Sequence, residues 1–138
     1  VTTATDVITT LLTGDATLSA LLTGGVHNVV ELSRQSVPDA FDANKEIEPC
    51  ANVRVDTVTG DRVVGFAATE SVAVWLYERG IDGATIESAR SRIYELLHRA
   101  RVGSGSFELW HTNDVTGFYD DGLSATTIVS RYEVVKRR

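Results

Sequence analysis

The sequence predicts an α+β fold: one mainly antiparallel sheet of four to five strands packed against a long helix, with an N-terminal helix and a long polar loop. Three observations predict it. Residues 51–57 and 72–77 repeat with the two-residue period of strands. Residues 84–101 carry an apolar stripe at helical spacing. The elements also run in the order helix, two strands, helix, two strands, which suits one sheet with helices against a face.

The N-terminal helix is read from Val7, Ile8, Leu11 and Leu12, one apolar stripe preceded by Thr3 and Asp6 at capping-box spacing. Gly14 ends it, and Asp15 caps a second short piece carrying Leu18, Leu21 and Leu22 before Gly24-Gly25 stops the run. The many threonines lower intrinsic helicity, so this helix depends on docking its apolar face. A short strand is expected within Val26–Leu32. Ser33 to Pro49 holds both prolines and six charged or amide side chains between them. It reads as a long, mobile arm whose removal would spare folding.

Ala51, Val53, Val55 and Thr57 alternate with Asn52, Arg54 and Asp56, a half-buried strand, and Gly60-Asp61 signals a hairpin turn. In the next strand, about Thr69 to Glu78, Val72, Val74 and Leu76 lie on one face and Ala73, Trp75 and Tyr77 on the other. A strand apolar on both faces is central and covered twice, once by the chain's own helix and once by another element or another subunit. Asp82 is expected to cap a helix from Ala84 to Arg101 with Ile86, Ala89, Ile93, Leu96, Leu97 and Ala100 buried and a Glu95–Arg99 pair on its wet side. Phe107, Leu109 and His111 mark a third strand, Asn113 to Gly122 a loop or hairpin tip, and Ser124 to Val135 a last strand.

The chain of 138 residues is 43% apolar and 23% charged, which suits one domain over residues 1–138 and argues against disorder or a collagen. No apolar run reaches the roughly 18 residues of a membrane helix, so no membrane contact is expected. The start, Val1 to Asp6, has no basic region followed by an apolar run, and no signal peptide is expected. A net charge of −6 argues against broad nucleic-acid binding, Lys136-Arg137-Arg138 being a local exception. The one cysteine, Cys50, excludes an intrachain disulfide and fits assembly in a reducing cytoplasm.

Chemistry-bearing patterns are missing. His27, His98 and His111 fall in different elements without ligand spacing, and Cys50 has no C-x-x-C partner, so neither a metal nor a cofactor is expected. Gly103-Ser104-Gly105-Ser106 follows a helix and precedes a strand, the reverse of a phosphate cradle. Asp120-Asp121-Gly122 reads as a solvated turn. No catalytic set is legible, so the chain is expected not to be an enzyme. Trp75 and Tyr77 are read as core or as a subunit surface, and Phe118 and Tyr119, beside Gly117 in a polar stretch, equally as core or as an interface.

Order and pattern together carry a resemblance. A Leu-rich helix precedes a short strand, and Glu48-Pro49-Cys50-Ala51-Asn52-Val53-Arg54-Val55 opens the sheet after the arm. Val72 to Tyr77 then runs into the helix from Ala84 to Leu97, and a last hairpin ends in Ile128 to Val134. This resembles the tail-terminator or tail-completion proteins of long-tailed bacteriophages and gene-transfer particles. The resemblance implies a hexameric ring of the chain's own copies in the neck of a virion, assembled in the host cytoplasm. The ring caps the head-proximal end of the tail tube, stops further addition of tube protein and meets the head–tail connector or stopper protein. Genomic DNA passes through the hole without specific binding. Subunit or tube contacts are then expected at Trp75, Tyr77, Phe118, Tyr119, Pro38, Asp39 and Phe41. Asp61, Asp120 and Asp121 are expected to face the channel, where they would repel phosphates. A neck joining protein and a small ligand-binding or enzymatic α+β domain are the competing readings.

Overall fold

The computed structural model describes residues 3–60, 67–103 and 107–137. The chain opens with α1 (Ala4–Thr13) and α2 (Ala16–Leu21), then β1 (Val26–His27) and a 3-10 turn at Pro38–Ala40. Next come β2 (Cys50–Gly60), β3 (Ala67–Arg79), α3 (Ala84–Leu97), β4 (Arg101–Val102), β5 (Phe107–Asp120) and β6 (Ala125–Arg137). The fold is α+β with one six-stranded sheet in the order β1-β2-β3-β6-β5-β4, parallel at β1–β2 and antiparallel elsewhere. The sheet has six strands where four to five are expected, because the two-residue strands β1 and β4 add an edge on each side of four long ones.

The start forms as its sequence dictates. Thr3 accepts from the Asp6 N–H, Asp6 accepts in return from the Thr3 N–H, and Asp15 caps α2 through the Leu18 N–H. Ile8, Leu12 and Leu18 are fully buried. Helices α1, α2 and α3 cover one face of the sheet, burying Ala51, Val53, Val72, Val74, Leu76, Leu109, Ile128, Tyr132 and Val134.

Helix α3 differs from its sequence reading at both ends. Its N-cap is Gly83, in the left-handed region at φ 70°, and the orphan N–H groups of Thr85 and Ile86 donate to the Glu78 carboxylate at 2.9 and 3.1 Å rather than to Asp82. The helix stops at Leu97: His98 is extended and Arg99 adopts φ 64°. This reversal lets Arg99 and Ala100 bond Leu109 and start β4, so the expected Glu95–Arg99 pair gives way to Arg92, which pairs with Glu95 and Asp15.

The third strand is longer than its pattern suggests. β5 runs to Asp120 because register shifts after His111 and after Val115, the second at Gly117 with φ 78°, absorb extra residues and rescue the pairing with β6. The expected loop from Asn113 is therefore strand, and the tip is 121–124. The Gly60-Asp61 turn extends beyond the described residues, as do Ser104, Gly105, Ser106 and Arg138.

The arm covers the Tyr77 end of the sheet's second face. Leu32, Val37, Ala40 and Ile47 are buried against Cys50, Tyr77, Leu123 and Ala125, a second core. Within the arm, Phe41 bridges Ile47, the Glu48 N–H donates to the Ala40 carbonyl at 2.9 Å, and Asp42 accepts from the Asn44 and Glu46 N–H groups. Arg34 donates to the Lys45 carbonyl at 2.8 Å, and Arg79 pairs with Glu46. The mobile arm of the sequence reading is a folded cover. Its polar side chains face water, while three apolar residues spaced unlike a helix or a strand, Val37, Ala40 and Ile47, face inward.

Candidate interaction surfaces

The sequence-predicted residues fall into three places. Trp75 and Tyr77 project from β3 toward the arm side of the sheet, and Phe118 from β5 joins them there. Tyr77 is buried beside Cys50, its register partner, and burial, with Asp120 nearby, pushes its phenol up to about 12. Trp75 is half-buried. The Phe118 ring meets it edge-on at 6.2 Å, and the Arg54 guanidinium lies 5.0 Å over its ring. Its indole N–H is buried and finds no acceptor among the described residues. Tyr119 is 44% exposed and points to the helix side, opposite Thr126, so it does not join Phe118.

Pro38 opens the 3-10 turn and is exposed with Asp39, whereas Phe41 is half-buried beneath the Arg34 guanidinium at 5.1 Å. Asp120 is half-buried and accepts the Leu123 N–H at 3.0 Å, which shapes the tip, while Asp121 is exposed. Asp61 lies outside the described residues.

Between the arm and the sheet is a cleft of about 350 Å3, walled by Trp75 and Tyr77 and bordered by Arg34, Arg54, Glu31 and Asp120. Two cations face two anions there, so the cleft has no net preference for charge.

The structure also builds a polar cluster that no spacing in the sequence reveals. His98 Nδ1 accepts the His111 N–H at 3.1 Å. His111 Nε2 lies 2.9 Å from Asp114, which also accepts from Ser130 at 2.6 Å and pairs with Arg90 at 3.0 Å. Burial pushes the Asp114 carboxyl upward, yet the bonds from Ser130 and His111 and the Arg90 charge outweigh it and hold the group below the usual carboxylate range. Tyr94 stacks on His98 at 4.7 Å, and Trp110 meets His98 edge-on at 5.8 Å. The carboxylate rather than the imidazole is central here, and Ser130 donates to Asp114, not to a histidine, so the geometry lacks an activated hydroxyl. It ties α3 to β5 across the bulge. Among the described residues no group of three or more His, Cys, Asp or Glu side chains is placed to hold a metal ion. Only the fold exposes this cluster: Arg90 sits on a helix, Asp114 in a stretch read as loop, and Ser130 in the last strand.

No family model matches the chain, and no curated protein sequence matches it. In three dimensions it is similar to a chain of a solved structure described as "Virion of native gene transfer agent (GTA) particle". The two share 14% identity with a TM-score of 0.72, and the match covers 98% of this chain and 95% of that one. The likeness establishes the fold over nearly the full length of both chains.

Proposed function

We propose that this chain is a structural protein of a phage-like particle, and within it the tail terminator. It assembles with its own copies into a hexameric ring at the head-proximal end of the tail tube, ends tube polymerisation and offers a surface to the head–tail connector. One observation carries the reading: the fold matches, end to end, a chain found in a gene-transfer-agent virion. The shape of the surfaces supports it. The cleft beside Trp75 is charge-balanced, with two cations and two anions at its border. Strands of 11 to 14 residues make a stiff slab suited to packing against neighbours. The mechanism is geometric: head-to-tail contacts close a ring, and closure leaves no free surface of the repeating kind. The net charge of −6 per copy, with Asp121 exposed at the β5–β6 tip, favours a hole through which DNA slides without adhering.

Pull-down against purified tube protein and purified connector protein tests the role. Capture of tube protein is the expected result. Capture of the connector alone would assign the chain to neck joining instead, and capture of neither would remove the tail assignment.

A further inference from the structure

Two apolar surfaces lie at opposite edges of the sheet, one on each side of α1. The first is a ridge at the β1–β2 edge, where Val30 is 90% exposed and Val55 43% exposed around a hollow they share with Thr5 of α1. The ridge is held firmly. Asn52 clamps the Val29 N–H and carbonyl at 2.9 and 3.0 Å, and Arg54 donates to the Val30 carbonyl at 2.9 Å. An exposed valine on a loose loop is ordinary, whereas one presented by three hydrogen bonds is positioned.

The second surface is a groove of about 460 Å3 at the β4 edge, lined by Val7, Thr10 and Leu11 of α1 and by Val102 and Gly103. This is about three times an apolar cavity of ~150 Å3 that admits a benzene ring. Val7, Leu11 and Val102 are only half-buried, and the Phe107 ring closes over Gly103 so tightly that a Cβ there would meet it at 2.9 Å. Charges complement one another across the two surfaces. Arg54 is the charged residue bordering the ridge and Asp6 the charged residue bordering the groove, so the two surfaces carry opposite signs.

A ridge and a hollow at different places on one molecule make a heterologous contact, which repeats head to tail and closes when its rotation permits. We propose that the Val30–Val55 ridge of one copy seats in the Val7–Leu11–Val102 groove of the next. The inference rests on the ring reading above and names the lateral contact of that ring.

Cysteine cross-linking tests it. Val30→Cys and Leu11→Cys are made separately and together, oxidised mildly and run on non-reducing gels, with Val102→Cys as a second groove variant should Leu11→Cys destabilise the fold. Cys50 is fully buried and stays out of reach in every variant. Mixing the two single variants is expected to give a covalent dimer, and the double variant a ladder of larger species. Val30→Asp is expected to abolish assembly in size-exclusion light scattering with an unchanged melting temperature, because the side chain touches little of its own chain. Self-linking of Val30→Cys alone would show a two-fold contact and overturn the proposal. Oligomers without cross-links in the mixture would overturn it while leaving the ring intact. A monomer at every concentration, without cross-links, would overturn both.

Discussion

Raising the pH from 9 to 12 is expected to unfold the protein cooperatively, with ionisation of the two buried tyrosines and loss of circular dichroism moving together. Three buried acids drive this. Burial pushes the Cys50 thiol from 9.0 to about 12, and the Tyr77 and Tyr132 phenols from 10.0 to about 12. In the unfolded chain these groups release their protons at ordinary values, while the folded chain retains them. Between pH 9 and 12 the unfolded state therefore binds fewer protons, and stability falls as pH rises. Each tyrosine loses up to about 3 kcal/mol across this window, and Cys50 up to about 4. Even half of the combined loss is comparable with a net stability of roughly 5–15 kcal/mol. Among the described residues the buried Tyr132 hydroxyl finds no hydrogen-bond partner in good geometry. Tyr132→Phe is accordingly expected to be at least as stable as the parent at neutral pH and to shift the alkaline midpoint upward. Tyrosinate formation completed well below pH 12 with unchanged circular dichroism would contradict the burial of Tyr77 and Tyr132.

Deleting Asp39 to Glu46 is expected to destabilise the fold severely rather than spare it. The deletion removes Ala40, takes away the Phe41 bridge to Ile47 and breaks the Arg79–Glu46 pair, leaving Tyr77, Cys50 and Leu123 facing water. The single substitution Ile47→Ala already costs about 2–5 kcal/mol, as a buried Ile-to-Ala change typically does. The deletion exceeds that, because the arm is the only cover over this end of the second face among the described residues. Urea unfolding followed by tryptophan fluorescence reads both variants, since Trp75 packs against the arm core. An unchanged midpoint for the deletion would mean that the arm is a detachable loop.

The helix-covered half of the fold was legible because period and burial agree there. Val72, Val74 and Leu76 on one face and the stripe Ile86, Ala89, Ile93 and Leu97 pack as their spacing dictates. The second cover of β3 was also legible as a need, and the arm supplies it at the Tyr77 end. The arm itself was hidden because Val37, Ala40 and Ile47 are too few and too irregular to register as periodicity among polar neighbours. The far half of β5 was hidden for a related reason. Two bulges break its alternation, so Asn113 to Asp120 reads as loop until β6 is laid beside it. Helix α3 was overextended because Leu97 and Ala100 continue the stripe, while the left-handed turn at Arg99 has no glycine to announce it. Of the candidate surface residues, Trp75, Tyr77 and Phe118 do gather on one face, and Tyr119 faces the other way. The ridge and groove were illegible, since exposed valines carry no signal until the fold shows which apolar side chains stay uncovered.

Electron microscopy of tail tubes polymerised with and without the purified chain puts the assembly reading to the test. With the chain present, tubes of limited length should each carry one ring at a single end, with the hole of the ring on the tube axis. Tubes that grow to the same lengths with bare ends, while the chain stays in solution as a folded monomer, would contradict it.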